Sequence, residues 1–535
     1  MNELEIIYMR HIKHIIMGVA AVLSLSACSD YLDIYPENVK ATDQYWKSKE
    51  EVESSLMTGY YYLRSSVEDY LIPWGELRAG CIYNRKGSNL QKFEVKPTDT
   101  KLCDWGPMYQ IVNTANLVLA NAAKARSNDD TYTEQEMNSH LTEAYWLRAL
   151  AYFYIVRNWR DAPLITTPYE TDENTYNIPQ SSAADIIAQI KSDLLAAIKL
   201  GAAKEKFDTT WETKGRATIW SIYALMADVC LWNEDFDEAI SYCNAILNAN
   251  STNAPHFMST ATHSSWFSMF NPGNSNESVY EVQWSHEKMD GSSYQTNRLP
   301  IYFDNANTNR LYVMSAQMLQ DFNSDYTSIL DNYGNLQPEL AVRTMYGGYY
   351  TGTDASTYMS ATEGYVWKYI GGTTISDKRT TTYYDPNFIL YRVADVMLMK
   401  AEALVMRGSG QNYEDNQAAI ALVNQVRERT NLQDVEISQS TDFKEMLQYV
   451  LDERLKEFLG EGKAWYDILR LGHYADRNGI NFKKDFLIEY VQKYNKQASE
   501  SWISSVLSNE NAWYLPVSSS EMSVNGQLVQ NSYYQ

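Results

Sequence analysis

Residues 215–249, GRATIWSIYALMADVCLWNEDFDEAISYCNAILNA, decide the fold. Two apolar runs at helical period flank Asn233-Glu234-Asp235, a polar break long enough only for a tight turn. Ala224, Ala227 and Ala239 stand where two antiparallel helices must approach closely. The stretch therefore predicts a helical hairpin with a small-residue seam. A second pair lies at 388–430, in FILYRVADVMLMKAEALVMRG followed by NYEDNQAAIALVNQVRERT.

Working outward, 134–200 and 442–472 are looser versions of the same unit. Leu141, Ala144, Tyr145 and Leu147 precede Ala151, Tyr152 and Ile155 in steps of three and four, and Pro163 stops that helix. Ser181-Ser182 caps the next, over 182–200, with Ile186, Ile187, Ile190, Leu194 and Ile198 on one face. Helix pairs of this kind are tetratricopeptide-like. Four of them predict a mostly α chain, a right-handed superhelix in which each hairpin covers its neighbour's apolar face. Residues 251–385 break the period: they are rich in Ser, Thr, Asn, Gly and Tyr, with short apolar runs at SVYEVQW and LYVM. That composition predicts a loop-rich irregular subdomain with a few short strands, laid against the helices. Segments 70–110 and 473–535 read the same way.

Among 535 residues, Lys and Arg number 45 against 67 Asp and Glu, a net charge of -22. Such a surface repels phosphates and excludes a nucleic-acid partner. It is not drawn to an anionic membrane by charge either. Met17 to Ala27 form a short apolar run after Arg10 and Lys13, an export signal too short to span a bilayer. Glu3 and Glu5 suit such a leader poorly, which points to Met9 as the start. Leu25-Ser26-Ala27-Cys28 looks like a bacterial lipobox, with Cys28 as the acylated residue and two or more chains giving a stable anchor. The expected organisation is a signal at 1–27, a lipidated tether at 28–43, helical parts at 44–250 and 386–535, and the loop-rich part at 251–385. Cys81, Cys103, Cys230 and Cys243 follow no zinc spacing and make no disulfide scaffold. Cys81 and Cys103 flank a loop where a pair is open.

Taken in order, these blocks resemble the RagB/SusD family from end to end. The residues that carry the resemblance are the lipobox with Tyr31-Leu32-Asp33 and Pro36, then Trp105, Tyr109, Ile111 and Asn116. EAYWLRALAYFYIVRNWRDAPLI at 143–165, RVADVMLMKAEAL at 392–404 and VNQVRERT at 423–430 follow, and then ERLKEFLGEGKAWYDILRLG at 453–472. YLPV at 514–517 precedes Glu521, Asn525, Leu528, Gln530 and Asn531. Two departures stand out: Lys463 where the family usually has Arg, and Arg160-Asp161-Ala162 in place of its usual Gly before Pro163. Ser29-Asp30 and Asp33 resemble the acidic tag that sends such lipoproteins to the outer face. The resemblance implies a surface lipoprotein, a hinged lid on a TonB-dependent, SusC-like outer-membrane transporter, binding glycans in many members and peptides in some.

No HExxH, GxSxG, Walker A or GxGxxG motif occurs, and His140, His256, His263, His286 and His473 lack metal-ligand spacing. The chain is therefore read as a receptor with no catalytic residue, no metal and no cofactor, although a glycosidase needs no short motif because its two carboxylates can be far apart in sequence. Glu453, Glu457, Glu461 and Asp467 have acid-base spacing, but Arg454 and Arg470 beside them and the core-type Trp465 favour a structural ion-pair network. Asp321-Phe322-Asn323-Ser324-Asp325 alternates like a calcium loop yet lacks its glycine and its closing Glu. Sugar binding needs exposed rings for C–H faces, with amides, carboxylates and guanidinium groups for hydroxyls. Three loop patches offer them: Trp74, Glu76, Arg78, Tyr83 and Asn84; Trp284, Tyr294 and Arg298; and Tyr349, Tyr350 and Trp367. A peptide receptor of the same fold and a helical scaffold for protein alone stay open beside the glycan reading.

Overall fold

The computed structural model describes residues 45–170, 176–259, 263–289, 293–304, 309–327, 364, 366–371 and 385–535. The long helices are α1 (Lys49–Ser66), α2 (Gly106–Asn128), α3 (Glu134–Trp159), α4 (Ala183–Lys199), α5 (Ile219–Trp232), α6 (Phe236–Leu247), α7 (Ala316–Thr327), α8 (Val393–Arg407), α9 (Tyr413–Glu428), α10 (Phe443–Glu457) and α11 (Ala464–His473). The strands are β1 (Ile82–Asn84), β2 (Ser278–Val282), β3 (Ser285–Met289), β4 (Ser293–Gln295), β5 (Tyr312–Met314) and β6 (Phe388–Arg392).

The four expected hairpins are α3/α4, α5/α6, α8/α9 and α10/α11, and they stack in that order, α4 on α5, α6 on α8 and α9 on α10. At the α5/α6 turn Ala224, Ala227 and Ala239 are fully buried, as close helix approach requires. A reciprocal cap between Thr218 and Ser221 starts α5, and Thr133 with Glu136 starts α3 in the same way. Helix α3 ends at Trp159 because Arg160 takes φ +66°, a conformation that glycine adopts without cost. The glycine missing from the family pattern is thus explained by a backbone that still turns there. Lys463, the other departure, ion-pairs Asp395 at 2.7 Å and donates to the Leu390 carbonyl at 2.5 Å.

Short antiparallel ribbons tie the loop-rich part to the helices on both sides. β1 pairs with β5 in the register Ile82↔Met314, Tyr83↔Val313 and Asn84↔Tyr312. β2 pairs with β6, which runs directly into α8. β3 and β4 form a hairpin. The expected runs SVYEVQW and LYVM are thus strands.

Several expectations give way. Among the described residues the first helix starts at Lys49, inside the part expected to be helical from 44, and 473–535 carries helical turns at Lys483–Tyr494, Glu500–Leu507 and Ser519–Val524. The last two pieces are too short to show a helical stripe in sequence, whereas Lys483–Tyr494 does carry one, in Phe486, Leu487, Tyr490, Val491 and Tyr494, that the composition of the segment hid. Helix α2 also takes over from the supposed irregular segment at Gly106. Cys81 and Cys103 are free thiols, both buried. Burial, reinforced by Asp99 and Asp104, pushes Cys103 up to about 12, so it stays protonated. The calcium-like pattern lies on α7, where Asp325 pairs with Lys456 at 2.8 Å and Asp321 with Lys493 at 3.1 Å.

The 453–470 acid cluster is a buried ion-pair network, and it recruits distant partners. Arg392, at the end of β6, meets Glu457 at 2.7 Å, Glu461 at 3.1 Å and Glu277 at 3.3 Å, all with essentially no exposure. Arg429 bridges Glu277 and Glu457 at 2.5 Å each, and Lys368 holds Glu461 at 2.6 Å. Burial works against the charge of Arg392, yet the surrounding carboxylates hold its pKa well above the ordinary value. Burial likewise raises Glu461, and Arg392 and Lys368 outweigh it, leaving the carboxyl below its usual range. Arg454 continues the network to Asp395 and Asp467, and Arg470 to Glu402. Three cations and three carboxylates in the Arg392 group thus lock the loop-rich part onto the last hairpin.

Candidate functional site

Helix α1 does not end at Ser66 but widens into a π turn at Val67–Leu71 before the helical turn Ile72–Glu76. Pro73 has no N–H to give to the preceding turn, and the wider turn accommodates that loss. Glu68 and Asp69 sit on this turn. They line one side of a cleft of about 500 Å³. Asn84, Lys86, Gly87, Ser88, Asn89 and Lys92 line the cleft too, with Lys101, Tyr302, Leu311 and Tyr312.

The β1–β5 ribbon positions this wall. Gln91 clamps the Asn84 main chain, accepting from its N–H at 2.7 Å and donating to its carbonyl at 3.0 Å. The Asn84 side chain accepts from the Lys86 N–H at 2.9 Å, and its amide nitrogen is left to donate elsewhere. Gly87 closes the turn on the Asn84 carbonyl at φ +86°. Across the ribbon Tyr312, buried, packs edge-on against half-buried Tyr302 with centroids 5.9 Å apart. The Arg298 guanidinium lies 5.6 Å from the Tyr302 ring centre. Glu68 accepts from the Arg298 backbone N–H at 2.5 Å and from its Nε at 3.1 Å. Partial burial opposes the Arg298 charge, but Tyr302 and Glu68 hold its pKa above the usual value. Burial also raises the Tyr302 hydroxyl, which therefore stays protonated and can both donate and accept.

Of the residues that the sequence named, Asn84 lines the cleft, and Arg298, from a second patch, is outside the lining but bonded to Glu68 and beside Tyr302, which do line it. The cleft leaves out the others. Trp74 is 1% exposed, stacks edge-on with Trp159 at 5.2 Å and donates its indole N–H to the Leu102 carbonyl at 3.0 Å. Glu76 is fully buried and accepts from the Gly462 N–H at 2.7 Å; burial pushes its carboxyl up to about 8. Arg78 donates to the Trp513 carbonyl at 2.8 Å and to Asn158 at 2.9 Å, under Trp465 at 4.3 Å. Burial lowers it to about 10. These three are therefore structural and not ligand-facing: the turn at 72–76 runs into the core, where Gly75 passes so close to Gly462 that no Cβ fits.

Tyr83 is half-buried and outside the cleft lining, as strand alternation from Asn84 dictates. Trp284 packs partly buried against the core, its N–H bonded to Asn387 at 3.0 Å. The side chains of Tyr294 and Trp367, and all of Tyr349 and Tyr350, lie outside the described residues, as does Cys28. The sequence reading missed Tyr302, although it stands in the same 283–305 window as Arg298, and Lys86, Lys92 and Lys101. A grouping of Cys230, Asp235 and Glu238 that could suit a metal already holds the Lys191 ammonium, 2.9 and 2.6 Å from the two carboxylates.

Residues 267–534 match the model of the SusD family, and residues 30–231 match a model described as starch-binding associating with outer membrane. A SusD-like protein of Formosa agariphila, P38, is 25% identical over 507 residues, covering 86% of this chain and 92% of that one. A SusD superfamily crystal structure from Bacteroides thetaiotaomicron superposes with a TM-score of 0.67 at 22% identity, covering 92% and 100% of the two chains. A structure described as a laminarin-binding SusD-like protein gives a TM-score of 0.63 at 21% identity, covering 91% and 99%. Because the first model spans half of the sequence, the chain belongs to the SusD family.

Proposed function

We propose that this protein is a cell-surface receptor that captures an oligosaccharide in the cleft between the 67–92 and 298–312 segments and performs no chemistry on it. The observation that carries the reading is the grouping there of Tyr302 with Asn84, Glu68 and Asp69, with Arg298 held against Tyr302 and Glu68 beside them: a ring for a sugar face next to donors and acceptors for its hydroxyls. The starch-binding family description and the laminarin-binding relative support it. Fatty acyl chains at Cys28, reached through the 28–43 tether, hold the protein on the outer membrane facing outward. There it closes as a lid on a TonB-dependent, SusC-like transporter. Paired acyl chains supply the anchoring; among the described residues no helix is long and apolar enough to cross a membrane.

Titration calorimetry with a panel of oligosaccharides and a peptide mixture tests the ligand class. Sugars are expected to bind at micromolar to millimolar dissociation constants, weak enough for release into a transporter, and peptides not to bind. Peptide binding without sugar binding would replace the glycan by a peptide.

A further inference from the structure

We propose that the ligand taken by this cleft is acidic, a glycan bearing uronate carboxylates or sulfate esters; the inference rests on the cleft being the glycan site. The chain carries a net charge of -22, yet the cleft lining holds three lysines, Lys86, Lys92 and Lys101, against two carboxylates, Glu68 and Asp69. Both carboxylates are already engaged. Glu68 is taken by Arg298 at 3.1 Å and Asp69 by Lys101 at 3.5 Å.

Lys86 and Lys92 have no carboxylate within ion-pair distance among the described residues. Their backbones are nonetheless fixed. The Lys86 N–H is held by Asn84, and the short helix of Lys92 is capped by Ser88. The Lys92 carbonyl accepts from the Trp502 indole at 3.0 Å, and its ammonium lies over the Gly87 turn, 3.9 Å from where a Cβ would stand. Two ammonium groups left without an anion, on a rigid wall of a cleft that also presents Tyr302, are arranged for a sugar ring carrying negative charge. In an otherwise acidic surface they also concentrate the attractive field at the mouth of the site. A neutral glycan would leave both charges unused.

The test compares oligogalacturonates and sulfated galactan oligosaccharides with neutral laminari- and malto-oligosaccharides, by calorimetry at low and at 0.5 M NaCl, for wild type and Lys86→Ala/Lys92→Ala. Circular dichroism checks the fold. Acidic oligosaccharides are expected to bind at least tenfold more tightly than neutral ones. That advantage should shrink in high salt and fall about tenfold in the double variant, because charge-assisted bonds are the strong ones. Charge reversal, Lys86→Glu/Lys92→Glu, should abolish acidic binding. Preference for neutral oligosaccharides overturns the acidic ligand and leaves the glycan reading standing, and an acidic preference that the double variant keeps overturns the recognition by Lys86 and Lys92 from which the acidic ligand is inferred. Absence of binding to every glycan overturns both.

Discussion

Replacing Arg392 with methionine is expected to destabilise the fold by about 3–5 kcal/mol, the cost of leaving buried charge without its partner. The guanidinium is fully buried, lies 4.6 Å from the Phe458 ring centre and meets Glu277, Glu457 and Glu461 at once. Methionine fills much of the volume, so the loss is electrostatic: three carboxylates would face only Arg429 and Lys368. Removing one carboxylate together with the cation restores the balance. Arg392→Met/Glu461→Gln should therefore recover about 1 kcal/mol or more of that loss. Urea denaturation of both variants and of Glu461→Gln alone checks both figures. A single-variant cost below about 1 kcal/mol, or a double variant as unstable as the sum of its parts, would show that the network does not clamp the fold.

Trp74→Ala is expected to act on stability and not on ligand affinity. The indole is 1% exposed, meets Tyr70 and Trp159 with centroids 5.2 Å away, and satisfies its N–H on Leu102. Truncating a buried indole leaves a cavity and an unsatisfied carbonyl, worth about 3–5 kcal/mol. Neighbouring Pro73 and Leu77 touch the cleft, but Trp74 does not line it. Denaturant midpoints should fall accordingly, while the folded fraction binds sugar as wild type does. A variant of unchanged stability that has lost its ligand would return Trp74 to the binding surface.

The contrast between Trp74 and Tyr302 shows what the sequence could convey. Long amphipathic helices with caps and small-residue seams were legible, because their period is written locally in residues such as Ala224, Ala227 and Ala239. So was the structural role of the 453–470 acids, because Arg454 and Arg470 stand beside them. The partners that complete that network, Arg392, Arg429, Lys368 and Glu277, come from distant segments and left no local sign. The stretch PWGELRAGCIYN has the composition of a surface loop. Yet the structure buries Trp74, Glu76 and Arg78, because their partners, Leu102, Gly462 and Trp513, arrive from elsewhere in the chain. Only where the β1–β5 ribbon joins residues more than two hundred positions apart does Asn84 come beside Tyr312. A site made by such a pairing is visible as single residues in sequence, and as a cleft only in three dimensions.

The most direct measurement is calorimetric titration of Tyr302→Ala and of Asn84→Ala with the oligosaccharide that wild type binds best. Each substitution is expected to weaken binding about tenfold, through loss of the stacking ring or of the free amide donor, with the denaturation midpoint little changed. Wild-type affinity in both variants would place sugar recognition elsewhere on the molecule and contradict the assignment of the cleft.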